Sequence, residues 1–558
     1  MLHAVSTNPK HCKVFLLGTS ALVCLALAAP VMADVFVITE SDNSTNGIGT
    51  RDGGTAAAIA DVINGSDTVS LGIALTTTGT KKGIQTSGDA NTITVSKAGS
   101  ITTTGISAWG ISNLGHNSET TVSGSITTAG TSAYGIATLG DTDETTVSGS
   151  ITTTGLSAYG ISNLGHNSET TVSGNITTAG NSAYGVYSMG NTNETTVSGS
   201  IVTAGDHGYG FFAYGDRNIT TVSGSIVTAG NSAHGILING YNNTTTISGS
   251  ITSTGTASSA LVNTSGSGGT FILDEGAVII GDITALAAAT NNSLKFNLGA
   301  STSYAYSVGG RGAGTGAGQW TFTDQDGRAP IATTSGTGCL VVSNDVPVCN
   351  LVTAVGSGNA EAQDELQFSM NSSMIGSLAF GSSASGSVDA TSFTDVVQNK
   401  AWAKLYGGSS KRASSTTQSS FDTSNRGLTI GTPLSISDTL DVDLVFNTSR
   451  TRLDIGLTKD QEITVNSYNL GAVVHDIAPA SGWAVDAFGF VGRNAYDGKR
   501  KVMNNDTTTG SEIVTAAYSG MEVLVGVDAQ YSNPINDNLN FIGGLNASLS
   551  NERIGAYS

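Results

Sequence analysis

Two columns of residues with chemical potential repeat along this chain at one spacing. Glu119, Glu144, Glu169 and Glu194 stand 25 residues apart, as do Trp109, Tyr134, Tyr159, Tyr184 and Tyr209, with His234 at the next step. Carboxylates one rung apart repel by roughly 1 kcal/mol per pair even in a water-like dielectric. Bound Ca²⁺ would offset this, because carboxylates and Asn carbonyls suit it, and Asp141 and Asp143 add negative charge beside the row. The competing reading is a splayed, solvated row in which His116 and His166 partner Asp141. The repeat lacks the Gly-Gly-x-Gly-x-Asp pattern of calcium-binding coils. The aromatic column also admits two readings. Facing outward, with Gly110 and its equivalents as bends, it is a strip on which sugar rings can stack. Facing inward, as simple alternation with Ile111 predicts, it fills the core, and the sequence favours this second reading.

Catalytic constellations are not recognisable. Beyond residue 33 the histidines are His116, His166, His207, His234 and His475, and none joins an Asp and a nucleophilic Ser in a known motif. Gly309 to Gly318 do not match dinucleotide-fingerprint spacing and no helical pattern follows them. Asp324 and Asp326 before Gly327 read as a turn. Lys and Arg are nearly absent from 98 to 294, where Arg217 stands alone. β-Helical polysaccharide lyases gather basic residues and acids on one face. The expectation is a protein without catalytic residues, metal or cofactor. The formal net charge of −19 disfavours nucleic acid as a partner.

The elements that hold these columns come from the same repeat. Ile101, Ile126, Ile151, Ile176, Ile201, Ile226 and Ile251 keep the 25-residue step, and so do Val122, Val147, Val172, Val197, Val222 and Ile247. The unit reads T-T-V-S-G-S-I-x-T-x-G-x-S-A-Y-G-I-x-x-x-G. It is rich in Thr, Val, Ile, Ser and Gly, and no 3.6-residue period runs through it, so propensity and period both argue against a helical array. Three short apolar-bearing runs per 25 residues make one coil of a parallel β-helix. Equivalent residues then lie about 4.8 Å apart. The expected fold is all-β: a right-handed parallel β-helix of 25-residue coils, a short helix and an incomplete transmembrane β-barrel.

In chain order, residues 1–33 read as a signal peptide, with Lys10 and Lys13, an apolar core from Val14 to Ala28 and cleavage after Ala33. Cleavage leaves Cys339 and Cys349, ten residues apart, as a disulfide or as two free thiols. Residues 34–355 form the β-helix, with degenerate first coils to 93, strict repeats over 94–265 and closing coils over 266–355. Within the first coils, Leu75 echoes Ile101 and Ile84 echoes Ile111. Residues 356–396 are a linker containing a helix over Asn359–Ala379, where Leu366, Met370, Met374 and Leu378 recur every four residues. Residues 397–558 hold seven strand-like runs. They are joined alternately by short turns carrying Pro433, Pro479 and Pro534 and by long polar connections at 408–425, 450–462 and 495–512. That alternation predicts an outer-membrane barrel over a soluble sandwich.

The order of signal peptide, β-helix, short helix and barrel resembles the type V autotransporters of Gram-negative bacteria. The coils of 94–265, the stretch Ser293-Leu-Lys-Phe-Asn-Leu-Gly299 through Gln319-Trp320-Thr-Phe-Thr323, and Ala401-Trp402-Ala403-Lys404-Leu405-Tyr406-Gly407-Gly408 carry the likeness. The resemblance implies an outer-membrane translocator whose pore the helix threads, with a passenger displayed outside the cell as an adhesin or structural rod. It further implies outer-membrane lipid, barrel-assembly machinery and periplasmic chaperones as partners, besides a ligand on another cell. A glycan-binding or glycan-processing passenger is the alternative. Barrels of that family have about twelve strands and end on an aromatic residue. Seven strands ending at Ala556-Tyr557-Ser558 therefore read as truncated or incomplete.

Overall fold

A computed structural model describes residues 68–299, 302–310 and 318–324, the strands at 35–38, 57–60, 332–336 and 348–354, and helical residues 366, 369 and 370. In the C-terminal region it describes 401–412, 420–437, 440–455, 461–475, 477, 483–536 and 539–554. Ala33, Cys339 and Pro479 lie outside the described residues, and with them the expected cleavage site and disulfide.

The repeat folds into a parallel β-solenoid. One sheet stacks twelve strands, from Val35–Ile38 to Trp320–Asp324, and a second stacks nine, from Ala74–Thr77 to Val278–Ile280. A third runs through Ile111–Asn113, Ile136–Thr138 and Ile161–Asn163 towards Ser303–Gly310. Register between coils is one 25-residue step: Ile101 faces Ile126, Ile126 faces Ile151, and Val122 faces Val147. Leu75 pairs with Ile101 and Ile84 with Ile111, so the first coils enter the same columns. The Ile and Val columns are fully buried and form one continuous core, each side chain contributing roughly 1.5–3 kcal/mol. Interior threonines are satisfied locally. The Thr128 and Thr153 hydroxyls donate to the Ala133 and Ala158 carbonyls at 2.6 Å. Glycine is required where coils touch: a Cβ on Gly155 would lie 1.8 Å from the Gly130 carbonyl oxygen.

Past Ser253 the coil length becomes unequal. Thr244 pairs with Thr270, Thr270 with Ser293 and Ser293 with Thr321, while bulges in Ser259–Ser267 absorb the unequal steps. The core there turns aromatic, with Phe271, Phe296, Tyr304, Tyr306 and Trp320 all buried. Parallel growth then stops. Val348–Ala354 runs antiparallel to both Ser303–Gly310 and Ala332–Gly336.

The C-terminal region is an antiparallel meander of seven strands: Trp402–Arg412, Phe421–Ser437, Leu440–Ile455, Gln461–Val474, Trp483–Met503, Ser511–Asn536 and Leu539–Ile554. These strands are longer than the sequence predicts. Gly408 to Arg412 pair with Asn425 to Phe421, so only 413–420 connect those strands, and the other long connections shrink to 456–460 and 504–510. Pro433 and Pro534 lie inside paired strand ends rather than in turns. The connection at 475–482 exceeds that at 456–460. Loop-length alternation is therefore less regular than expected. Side-chain direction supports the barrel instead. Leu444, Phe446, Leu470, Val491, Val523, Val525, Val527, Leu545 and Leu549 are exposed, whereas Thr429, Asn447, Thr451, Ser467 and Asn494 are buried. An apolar outer face over an interior that mixes these polar side chains with buried Val445, Val473, Phe488, Phe490 and Leu524 fits a membrane barrel, since a soluble sandwich would not turn an apolar face outward. Leu366 and Met370 of the predicted helix are buried among Phe421, Leu453, Ile455, Val465 and Tyr496, and the Asn425 side chain donates to the Ser369 carbonyl at 2.9 Å. The rest of that helix lies outside the described residues.

Candidate functional site: an aromatic column on the solenoid

The column is built by one repeated turn. Ser107, Ser132, Ser157 and Ser182 take left-handed backbone angles, with φ between 52° and 55°. This conformation reverses the chain just before each aromatic residue. Ala108 and its equivalents then point into the core, as does Gly110, whose Cα side faces Ile126 and the Gly135 carbonyl. Simple alternation fails here, because Gly110 and Ile111 face inward in succession and the ring before them is left outside. The rings lie half-buried on the outside of the coil. This corrects the interior-filling expectation.

Outside, the rings stack. Trp109 and Tyr134 have centroids 5.3 Å apart, Tyr134 and Tyr159 4.8 Å, Tyr159 and Tyr184 4.6 Å, and Tyr184 and Tyr209 4.8 Å, with interplanar angles of 14° or less. The solenoid's own repeat sets that spacing, which is also the favourable one for offset aromatic pairs. Lys82 closes one end, with Nζ 4.1 Å from the Trp109 ring centroid and 3.2 Å from the Ser112 hydroxyl. Burial lowers the pKa of its ammonium. His234 ends the other side, 5.2 Å from Tyr209. It is buried, its Nδ1 accepts the Ser259 N–H, and burial together with His207 lowers its pKa to about 4. Burial and neighbouring tyrosines push the Tyr184 phenol up to about 12 and raise Tyr159 as well. The Tyr184 and His234 rings are thus uncharged near pH 7.

A second column runs beside the first. Its early members, Ser112, Ala137 and Ser162, are small and fully covered, whereas Tyr187 and Phe212 are aromatic. Tyr187 meets Tyr159 and Tyr184 edge-on at 5.5 and 5.9 Å, and Phe212 meets Tyr184 and Tyr209 at 5.6 and 5.8 Å. Exposed Tyr214 and Met189 extend this shelf. The sequence reading missed these residues. Their signal was the change from small to aromatic at the step from Ser162 to Tyr187.

Glu119, Glu144, Glu169 and Glu194 begin successive strands of the twelve-stranded sheet, face one another rung to rung, and are exposed. Among the described residues no group of three or more His, Cys, Asp or Glu could hold a metal ion. His116 and His166 take another role. The Asp141 N–H donates to His116 Nδ1 at 2.8 Å, the His166 N–H donates to Asp141 Oδ1 at 2.8 Å, and His166 Nδ1 accepts the Asn191 N–H at 2.9 Å. Side chains there splice one coil's turn to the next.

Comparison with known proteins bears on the other end of the chain. The model of the autotransporter β-domain family matches residues 401–558. No curated protein and no solved structure matches the chain. The autotransporter β-domain match over residues 401–558, with a β-solenoid upstream of it, supports the organisation of an autotransporter.

Proposed function

We propose that the solenoid is a non-enzymatic passenger displayed at the cell surface, where it acts as an adhesive rod. The barrel is its outer-membrane translocator, assembled with the partners that such barrels require. The observation that carries the adhesive role is the outward stack from Trp109 to Tyr209 with its shelf of Tyr187, Phe212 and Tyr214. Flat, neutral rings in a continuous strip suit the apolar faces of sugars, and the phenols at the edge supply hydrogen bonds. Contact is spread over several coils, so affinity comes from summed weak stacking rather than from one pocket.

The test is binding of displayed passenger to a glycan array and to whole cells. Changing both Tyr159 and Tyr184 to Ser removes two rings, each worth about 0.5–1.5 kcal/mol, so binding should fall roughly five- to 150-fold. Unchanged binding with an unchanged melting curve would end the adhesive-strip reading. Release of shortened glycan would favour a processing enzyme.

A further inference from the structure

The connection between Trp483–Met503 and Ser511–Asn536 does not hang free. Asn505 is buried, with 1% of its surface exposed. Its side-chain Nδ2 donates to the Ser307 carbonyl at 2.9 Å and to the Gly281 carbonyl at 3.1 Å, while its Oδ1 accepts the Ser307 N–H at 2.8 Å. Its backbone carbonyl accepts the Gly281 N–H at 2.9 Å. One carboxamide therefore satisfies both the N–H and the C=O of Ser307, as a neighbouring peptide in a sheet would. It does so where the coil strand Asp282–Thr290 has not yet begun to pair, since that pairing starts at Val308. Val502 and Met503 continue the same edge by pairing with Ser303 and Tyr304. Asp506 accepts from the Ser307 hydroxyl. Gly510 packs so tightly that an added Cβ would lie 2.4 Å from Val278 Cγ1. A barrel connection thus completes the hydrogen bonding of the passenger's closing coils.

We infer that residues 502–510 are a socket that holds the folded passenger on its translocator independently of the covalent link. A passenger cut from the barrel stays seated until this contact opens. The inference rests on the passenger being outside the cell, which antibody labelling of intact cells establishes separately before any cut is made.

The experiment inserts a site-specific protease site at Gly356–Gly358 of the whole natural chain and follows the passenger after cutting intact cells. The wild-type passenger should remain with the cells, and Asn505→Ala should speed its release at least tenfold. Gly510→Ala, which wedges the other side of the contact, should do likewise. Protease resistance of the released solenoid reports that its fold is intact. Immediate release of the wild-type passenger would overturn the socket. So would equal retention by both variants.

Discussion

Asp143 is a carboxylate held in a position that its neighbours in other coils fill with uncharged side chains. It sits in an interior column with Ser118, Ser168, Asn193, Asn218 and Asn243, whose side chains accept backbone N–H groups from the adjacent coil. Asp143 Oδ1 accepts the Ser118 N–H at 2.9 Å, but its Oδ2 is buried without a partner. Burial raises its pKa from 3.8 to about 6, opposed by the Ser118 and Gly140 N–H groups and by His116, and assisted by Asp141. The folded state therefore holds the proton more tightly than the unfolded one. Its penalty is absent below about pH 3.8, grows as pH rises to about 6 and is complete above that. Two units correspond to roughly 3 kcal/mol as an upper figure. Asp143→Asn, which copies its neighbours in the column, should raise the melting temperature clearly at pH 7.5 and little at pH 4. An equal shift at both pH values would show that burial of charge is not the cause.

At the scale of the strand and turn, inside and outside carry very different weight. Ile151 fills the core, and Ile151→Ala should cost about 2–5 kcal/mol, whereas Thr152→Ala on the outer face should stay within about 0.5 kcal/mol. Denaturant melts of the two variants measure the difference, and similar midpoints would contradict the assigned register. Which residues of each strand face inward was legible in the sequence, because a constant period places Ile on Ile and Val on Val. The direction of the aromatic column was not. Its rings follow a left-handed Ser and precede an inward Gly, and alternation holds only within a strand. Barrel strand ends were also hidden. Ser, Thr, Asn and Gly occupy a barrel strand as readily as they make a loop, so Gly408–Arg412 and Phe421–Asn425 read as loop although they pair.

For the whole molecule, the solenoid and the barrel invert each other's solvent preference. The solenoid buries its apolar columns, while the barrel turns Val523, Val525 and Val527 outward on one face of one strand. A lysine at the bilayer midplane of such a strand costs about 2–4 kcal/mol. Val525→Lys should therefore reduce the amount of chain recovered as folded barrel in outer-membrane fractions, and Val525→Thr should reduce it far less. Wild-type recovery of the lysine variant would place that face away from lipid.

The unbroken coil register also bears on how such a molecule can change over generations. From Ser100 through Ser125, Ser150, Asn175, Ser200 and Ser225 to Ser250, every partner lies one unit away. Removing or adding a whole unit leaves each column aligned, whereas inserting one residue would turn a strand's core face to water. Length is thus a copy number. Recombination between near-identical repeats can raise or lower the reach of the rod in counted increments of about 4.8 Å, with no new structure to invent.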